Sequence, residues 1–186
     1  MSKDPQRSPL SKLWTSQKEN VWTVAIALIL AMVVKIWVAE SRFIPSESMV
    51  PTLNPGDRVV VEKVSYDFRS PEAGEIIVFH PPERLQAVGY RSNQAFIKRV
   101  IATSGHRVAV SQGRVYRDGV ALEEGYVKEA PSYTMAEVEV PENHLFVMGD
   151  NRNNSNDSHI WGFLPTENVI GHANFRFWPP KTAGQI

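Results

Sequence analysis

Residues 21–39, VWTVAIALILAMVVKIWVA, make up the longest apolar run of the chain. Apolar side chains fall on every face of a helix built from it, so the pattern predicts a helix without a wet stripe. Nineteen residues rising about 1.5 Å each would span roughly 28 Å, close to the about 30 Å of a bilayer's hydrocarbon core. Trp22 and Trp37 stand near the two ends, where amphipathic rings settle at headgroup level. Lys35 is the single charge inside and lies near enough to the far end to snorkel out. The run is longer than the apolar core of a cleaved signal peptide. It therefore predicts an uncleaved transmembrane anchor over 21–39, with 1–20 before it and 40–186 after it.

Beyond residue 40 the pattern changes to short segments rich in β-branched and aromatic residues. RVVVEKVSY, EIIVFHP, AFIKRVIA, RVAV, RVYRDGVAL, AEVEV, HLFVMGD and ANFRFW each predict a strand. Asp118-Gly119 between RVYR and VAL is a two-residue hairpin signal, and Gly56-Asp57 and Gln112-Gly113 mark further turns. No repeat and no convincing second helix emerges. The expected fold is an all-β domain of short antiparallel strands, rolled into a barrel or packed as a sandwich, behind one N-terminal transmembrane helix.

Charge then orients the chain. Residues 1–39 hold five Lys/Arg against two Asp/Glu, a net of +3, and residues 40–186 hold fifteen against eighteen, a net of −3. Lys3, Arg7, Lys12 and Lys18 precede the apolar run, and only Arg42 follows it closely. The positive-inside rule places the N-terminus in the cytoplasm and everything after residue 40 across the membrane. A net charge of zero over 186 residues gives no electrostatic case for nucleic acid. The absence of cysteine removes disulfides, thiolate nucleophiles and Cys-based zinc sites together.

The candidate chemistry begins with FIPSESMVPTL, residues 43–53, where Ser46 and Ser48 lie between Pro45 and Pro51. A serine hydroxyl needs a base before it attacks. His80, His106, His144, His159 and His172 are scattered, and none shows metal-ligand spacing. His159, after Asp157-Ser158, imitates part of a triad. Lys98, in AFIKRVIA, falls mid-strand with Phe96 and Val100 on its own face. A dry neighbourhood would lower its proton affinity towards neutrality. Taken alone, the segment reads first as a strand-edge lysine reaching water beside a solvated Arg99. Likewise GDNRNNSNDSHIWGFLP, residues 149–165, reads alone as a long polar turn whose side chains cap backbone groups.

Together, FIPSESMVPTL, GDRVVVEK, FIKRVIATSG and GDNRNNSNDSHIWG, in that order after one anchor, resemble type I signal peptidase, the Ser–Lys protease family that removes signal peptides from exported proteins. Any one motif is only suggestive; four in order over about residues 20–178 are specific. The resemblance implies Ser48 as nucleophile and Lys98 as general base. It implies Ser46 as the hydroxyl joining the Ser48 amide in the oxyanion hole, and Ser155 as the hydroxyl that orients the lysine. Asp150, Arg152 and Asp157 fall on a supporting polar network. Ile44, Met49, Phe96 and Ile97 fall where the family binds substrate, with Ile44 and Ile97 lining shallow pockets for small side chains. Two positions depart from the common pattern, His106 where many members have Asp and His159 where many have Arg. The second puts an ion pair of the loop in doubt. The Asp-Ser-His-x-Trp-Gly order is similar to thylakoid-type processing peptidases.

The reaction implied is acyl transfer without metal or cofactor. Neutral Lys98 takes the Ser48 proton, Ser46 and the Ser48 amide hold the oxyanion, and water releases the acyl-enzyme. The implied partners are signal peptides of pre-proteins, the lipid bilayer and the export machinery. The implied site of action is the plasma (inner) membrane, with a thylakoid membrane as the alternative. Two other readings remain at this stage, a soluble-type Ser–Lys self-cleaving regulator and a catalytically silent membrane-anchored binding protein. The anchor speaks against the first and the full set of Ser46, Ser48, Lys98 and Ser155 against the second.

Overall fold

A computed structural model describes the backbone of residues 9–33 and 38–186, which separates into two compact units, 1–38 and 39–186. Lys3, Arg7, Lys35 and Trp37, part of the basis for expecting and orienting an anchor, lie outside the described residues.

In the first unit a helix, α1, runs over Pro9–Val33, starting well before the apolar run. Proline is at home in a first turn, where its missing N–H has no helical partner to lose, and nothing in LSKLWTSQKEN breaks the helix thereafter. Val21, Trp22, Val24, Ile26, Leu28, Ile29, Leu30 and Met32 are exposed along it. Among the described residues no helix is long and apolar enough to cross a membrane; the described part of the run stops at Val33 and resumes at Val38.

The second unit is antiparallel β throughout its pairings. Its strands are β1 (Ala39–Phe43), β2 (Arg58–Glu62), β3 (Ile76–Phe79), β4 (Phe96–Thr103), β5 (Arg107–Ser111), β6 (Arg114–Arg117), β7 (Val120–Ala121), β8 (Met135–Glu139), β9 (His144–Met148), β10 (Leu164–Pro165), β11 (Val169–Trp178) and β12 (Gly184–Gln185). The larger sheet has the order β1-β2-β11-β3-β4-β9-β10, with β12 on β11, and the smaller one β7-β6-β5-β8. Two short α-helices, α2 (Glu83–Ala87) and α3 (Ser158–Trp161), and three 3₁₀ turns at Ser65–Asp67, Thr166–Asn168 and Pro180–Thr182 complete the unit. Every expected strand segment carries a strand. β1, β10, β12 and both short helices were not anticipated. The hairpin between β6 and β7 turns at Asp118-Gly119, both at positive φ, as a tight primed turn requires.

The burial pattern explains why continuous apolar runs suit this sheet. Ile76 and Val78 of β3 enter one core cluster with Ile44, Met49, Leu53, Val59, Val61, Ile97 and Ala173. The alternate residues, Ile77 and Phe79, enter a second with Val100, Leu145, Val147, Trp161 and Leu164. Leu145 and Val147 of β9 belong to that second cluster, while Phe146 and Met148 join Ile101, Val108, Val110 and Val115 in a third. Alternation on a strand sends neighbours to opposite faces, so strands covered on both faces are apolar throughout. β4 contributes to all three clusters, Ile97, Val100 and Ile101 in turn, and its register with β9 shifts between Val100 and Ala102.

β11 passes β2 so closely at Gly171 that a Cβ there would overlap the Glu62 carbonyl. That neighbour is backbone and has little room to yield. Gly171→Ala is expected to cost about 2 kcal/mol, in the range of over-packed interiors. The check is a lower urea midpoint with an unchanged slope; an unchanged midpoint would refute the close approach.

Candidate active site

The segment joining β1 to β2 is pinned at its base. Ile44 donates to the Asp57 carbonyl and Gly56 donates back to the Ile44 carbonyl, both at 2.9 Å. Asp57 also accepts from the Asn54 amide at 2.9 Å and from Arg176 at 3.1 Å. Inside the excursion Ile44, Met49 and Leu53 are buried in the first core cluster. Three apolar anchors on a closed loop leave the intervening residues little freedom. Ser48 is thereby held at the protein surface's inner edge, almost buried, while Ser46 and Glu47 are exposed.

Lys98 stands in the middle of β4, opposite Ile77 of β3, with Phe96 and Val100 of its own face in the second cluster. Only 3% of it is exposed. Its Nζ donates to Ser48 Oγ at 2.8 Å and to the Ile97 carbonyl at 2.9 Å. Ser46 Oγ lies 3.3 Å from Ser48 Oγ. Burial, which penalises the ammonium, brings the ionisation of Lys98 down to about 8 against the weaker opposing pull of Asp157 and Asp150.

The loop after β9 packs beside these two residues. The Asn151 amide donates to the Ser48 carbonyl at 3.0 Å, and the Asn151 side chain to the Glu47 carbonyl at 3.1 Å. Asn154 donates to the Glu47 carboxylate at 3.2 Å. Glu47, exposed between the two serines, is thus tied to the loop rather than to the hydroxyls. Gly149 allows the approach: a Cβ there would overlap Ser155 Oγ and the Ser48 carbonyl. Ser155 Oγ is buried beside it with no hydrogen-bond partner among the described residues.

Behind the loop the charges are paired. Asp150 is fully buried and takes a bidentate pair from Arg99, Nε at 2.9 Å and Nη2 at 2.7 Å, together with the Thr52 hydroxyl at 2.5 Å. Arg152, also buried, is bidentate to Glu124 at 2.5 and 2.6 Å and donates to the Gly149 carbonyl at 3.1 Å. Asp157 accepts from the Gly149 amide at 2.8 Å and from His159 Nδ1 at 2.6 Å, and caps α3 through the His159 amide. The expectation of a polar turn whose side chains cap backbone groups is met here, since Ser158 Oγ also accepts from the Val147 amide at 3.0 Å.

Ser46, Ser48, Lys98, Asp150, Arg152, Ser155 and Asp157 therefore converge. Ile44 and Ile97 are nearly buried and Met49 is fully so, all in the first cluster, while Phe96 is half-buried. His106 lies elsewhere, paired with Asp118 at 2.6 Å on the exposed β5–β7 side. Arg99 does not reach water as a solvated neighbour of Lys98. It lies between Asp150 and the Tyr126 ring, 4.0 Å from its centroid. The pairings of Arg99, Glu124 and Tyr126 carried no distinctive sequence signal, because their partners are remote in the chain.

Comparison with known proteins gives the chain clear relatives in sequence. The description "Signal peptidase, peptidase S26" matches residues 17–178. A protein of Synechocystis sp. named probable signal peptidase I-1 is 58% identical over 97% of this chain and 92% of its own length. Signal peptidase I of Leptolyngbya laminosa is 48% identical over 90% of this chain and 83% of its own. Thylakoidal processing peptidase 1 of Arabidopsis thaliana chloroplasts is 44% identical over 92% of this chain and 52% of its own. With a family match across most of its length and cyanobacterial and chloroplast relatives at this identity, the chain belongs to the signal peptidase family, peptidase S26.

Proposed function

We propose that the chain is a membrane-anchored serine endopeptidase that removes signal peptides from exported pre-proteins, cutting after small residues, with Ser48 as nucleophile and Lys98 as base. The observation that carries this is the 2.8 Å contact from a buried lysine amine to a nearly buried serine hydroxyl. Neutral Lys98 accepts the Ser48 proton as Oγ attacks the scissile carbonyl, then protonates the leaving amine. Ser46, on the exposed side of Ser48, joins the Ser48 amide in stabilising the oxyanion. The buried pairs of Asp150 and Arg152 keep the loop charges compensated, and Ser155 sets a buried hydroxyl beside Gly149. Ile44 and Ile97 flank the substrate, which binds as an added strand beside residues 41–46 and 95–98.

Membrane attachment is supported by the exposed apolar side chains of α1 and by the apolar residues that continue the run to 39. A second support is a group of exposed aromatic side chains on the two strands that flank β2, Phe43 of β1 and Phe175, Phe177 and Trp178 of β11. Such rings favour the membrane–water interface. The N-terminus is then cytoplasmic and residues 40–186 extracytoplasmic, at a plasma or thylakoid membrane. Protease added outside spheroplasts should digest the large unit and spare the N-terminus; protection of the large unit would refute this orientation.

Purified protein should cleave a pre-protein at its small-residue site, identified by sequencing the new N-terminus. Activity should rise with pH and level off above an ionisation near 8, since the ammonium form is no base. Lys98→Arg should be inactive because a guanidinium keeps its proton. The same burial has a linked stability cost. Below pH 8 both folded and unfolded chains hold the lysine proton and the full cost is present. Between 8 and the ordinary 10.5 the unfolded chain holds more protons, so stability rises with pH. The fall from 10.5 to about 8 corresponds to about 3 kcal/mol at about 1.36 kcal/mol per unit. Lys98→Met should therefore be inactive yet more stable at pH 7, by up to that amount less the lost hydrogen bonds. Cleavage by Lys98→Arg would overturn the dyad.

Ser46→Ala should lose about 10²–10³ in turnover, as for other single oxyanion donors, with little change in thermal stability. Turnover at the wild-type level would remove Ser46 from the oxyanion site.

A further inference from the structure

His159 contacts a group that bears on the base. Asp157 is fully buried, and its Oδ1 accepts from His159 Nδ1 at 2.6 Å while its Oδ2 accepts from the Gly149 amide at 2.8 Å. An ionised carboxylate only accepts, so Nδ1 carries a proton even in the neutral ring. A second proton, on Nε2, makes the ring a cation. The opposite face of the surroundings is aromatic: the Tyr133 ring stacks on the imidazole with centroids 4.1 Å apart and an interplanar angle of 12°. The Tyr133 hydroxyl is buried without a hydrogen-bond partner among the described residues, and burial holds the phenol neutral well above its ordinary range. Beyond Tyr133 lie Glu124 and Arg152, already paired with each other. Asp157 and Asp150 both favour the charged form of Lys98. A ring clamped between a carboxylate and an aromatic face keeps its place whether or not it is charged.

We propose that His159 is a positioning residue that tunes Lys98 through Asp157, its protonation in acid partly offsetting the carboxylate and so preserving part of the neutral lysine. This rests on the Ser48–Lys98 reading. The sign follows from the charges. Asp157 stabilises the Lys98 ammonium and raises its proton affinity. An imidazolium on the same carboxylate weakens that effect, so the two cations disfavour each other. Loss of base on acidification is then spread over two coupled ionisations. The wild-type acid limb flattens over the interval in which the imidazole takes its proton.

The test is cleavage of a pre-protein by the full-length protein in detergent from pH 5 to 10, for wild type, His159→Gln and His159→Arg, each normalised to its own plateau. A parallel NMR titration follows the ¹³Cε signal of Lys98. His159→Gln should show a single, unflattened ionisation and about three- to tenfold less normalised activity than wild type at pH 5.5. His159→Arg should show one ionisation displaced about half to one unit to lower pH, the same factor expressed as pKa. A residue that only supports the fold would lower the plateau or the melting temperature and leave the midpoint in place. Superimposable limbs, or displacement of His159→Arg to higher pH, would overturn the proposal. Should His159→Arg fail to fold, an acid limb of His159→Gln identical to wild type overturns it alone. These results are separable from the dyad itself: superimposable limbs with an inactive Lys98→Arg remove only the role of His159.

Discussion

The site depends on one unfavourable placement, an amine buried among apolar side chains. Ile77 across the strand pair and Phe96 and Val100 along β4 leave Lys98 almost no contact with water. Desolvation of this kind acts against the charged form only. The lysine can therefore accept a proton near neutrality. Nearby carboxylates would undo this if they stood free, since each stabilises the ammonium. Asp150 is met instead by the Arg99 guanidinium and the Thr52 hydroxyl, and Asp157 by the Gly149 amide and His159. The acidic groups keep their place in the loop while much of their charge is compensated locally.

That compensation reaches well beyond the loop. The segment between β7 and β8 supplies Glu124 to Arg152, the Tyr126 ring to Arg99 and the Tyr133 ring to His159. Asn153 adds hydrogen bonds to the Ala130 carbonyl and the Ser132 amide at 3.0 and 2.8 Å. A stretch with little regular structure thus buttresses the loop from outside. Breaking one member of a buried bidentate pair leaves the other charge uncompensated, so Glu124 bears on a site it does not touch.

Most of the strands were legible because strands covered on both faces need continuous apolar, β-branched sequence, as IIVF and HLFVM provide. β1 was not, since AESRF places Glu40, Ser41 and Arg42 on a sheet edge where water meets the polar side chains. α3 is a single turn whose start is set by the Asp157 cap and not by periodicity. Ser48, Lys98 and the loop residues were legible as motifs at fixed spacing. Arg99 was not: its partner Asp150 is 51 residues away, and a strand arginine beside a buried lysine carries no mark of which face it takes. Glu124, 28 residues from Arg152, had no local signal at all.

β4 feeds all three core clusters and lies between β3 and β9 within the larger sheet. A strand so placed opens only when the domain as a whole opens, whereas edge strands and loops fray at far lower cost. For an enzyme that cuts polypeptides this has a bearing on self-digestion. Frayed termini and loop tips are the usual places of proteolytic nicking, whereas the strand that carries Lys98 is not presented as an extended substrate while the core is intact. Lys98 is thereby kept on a part of the chain that neighbouring copies do not reach, while Ser48, on the β1–β2 loop, relies on the buried anchors Ile44, Met49 and Leu53 for its own protection.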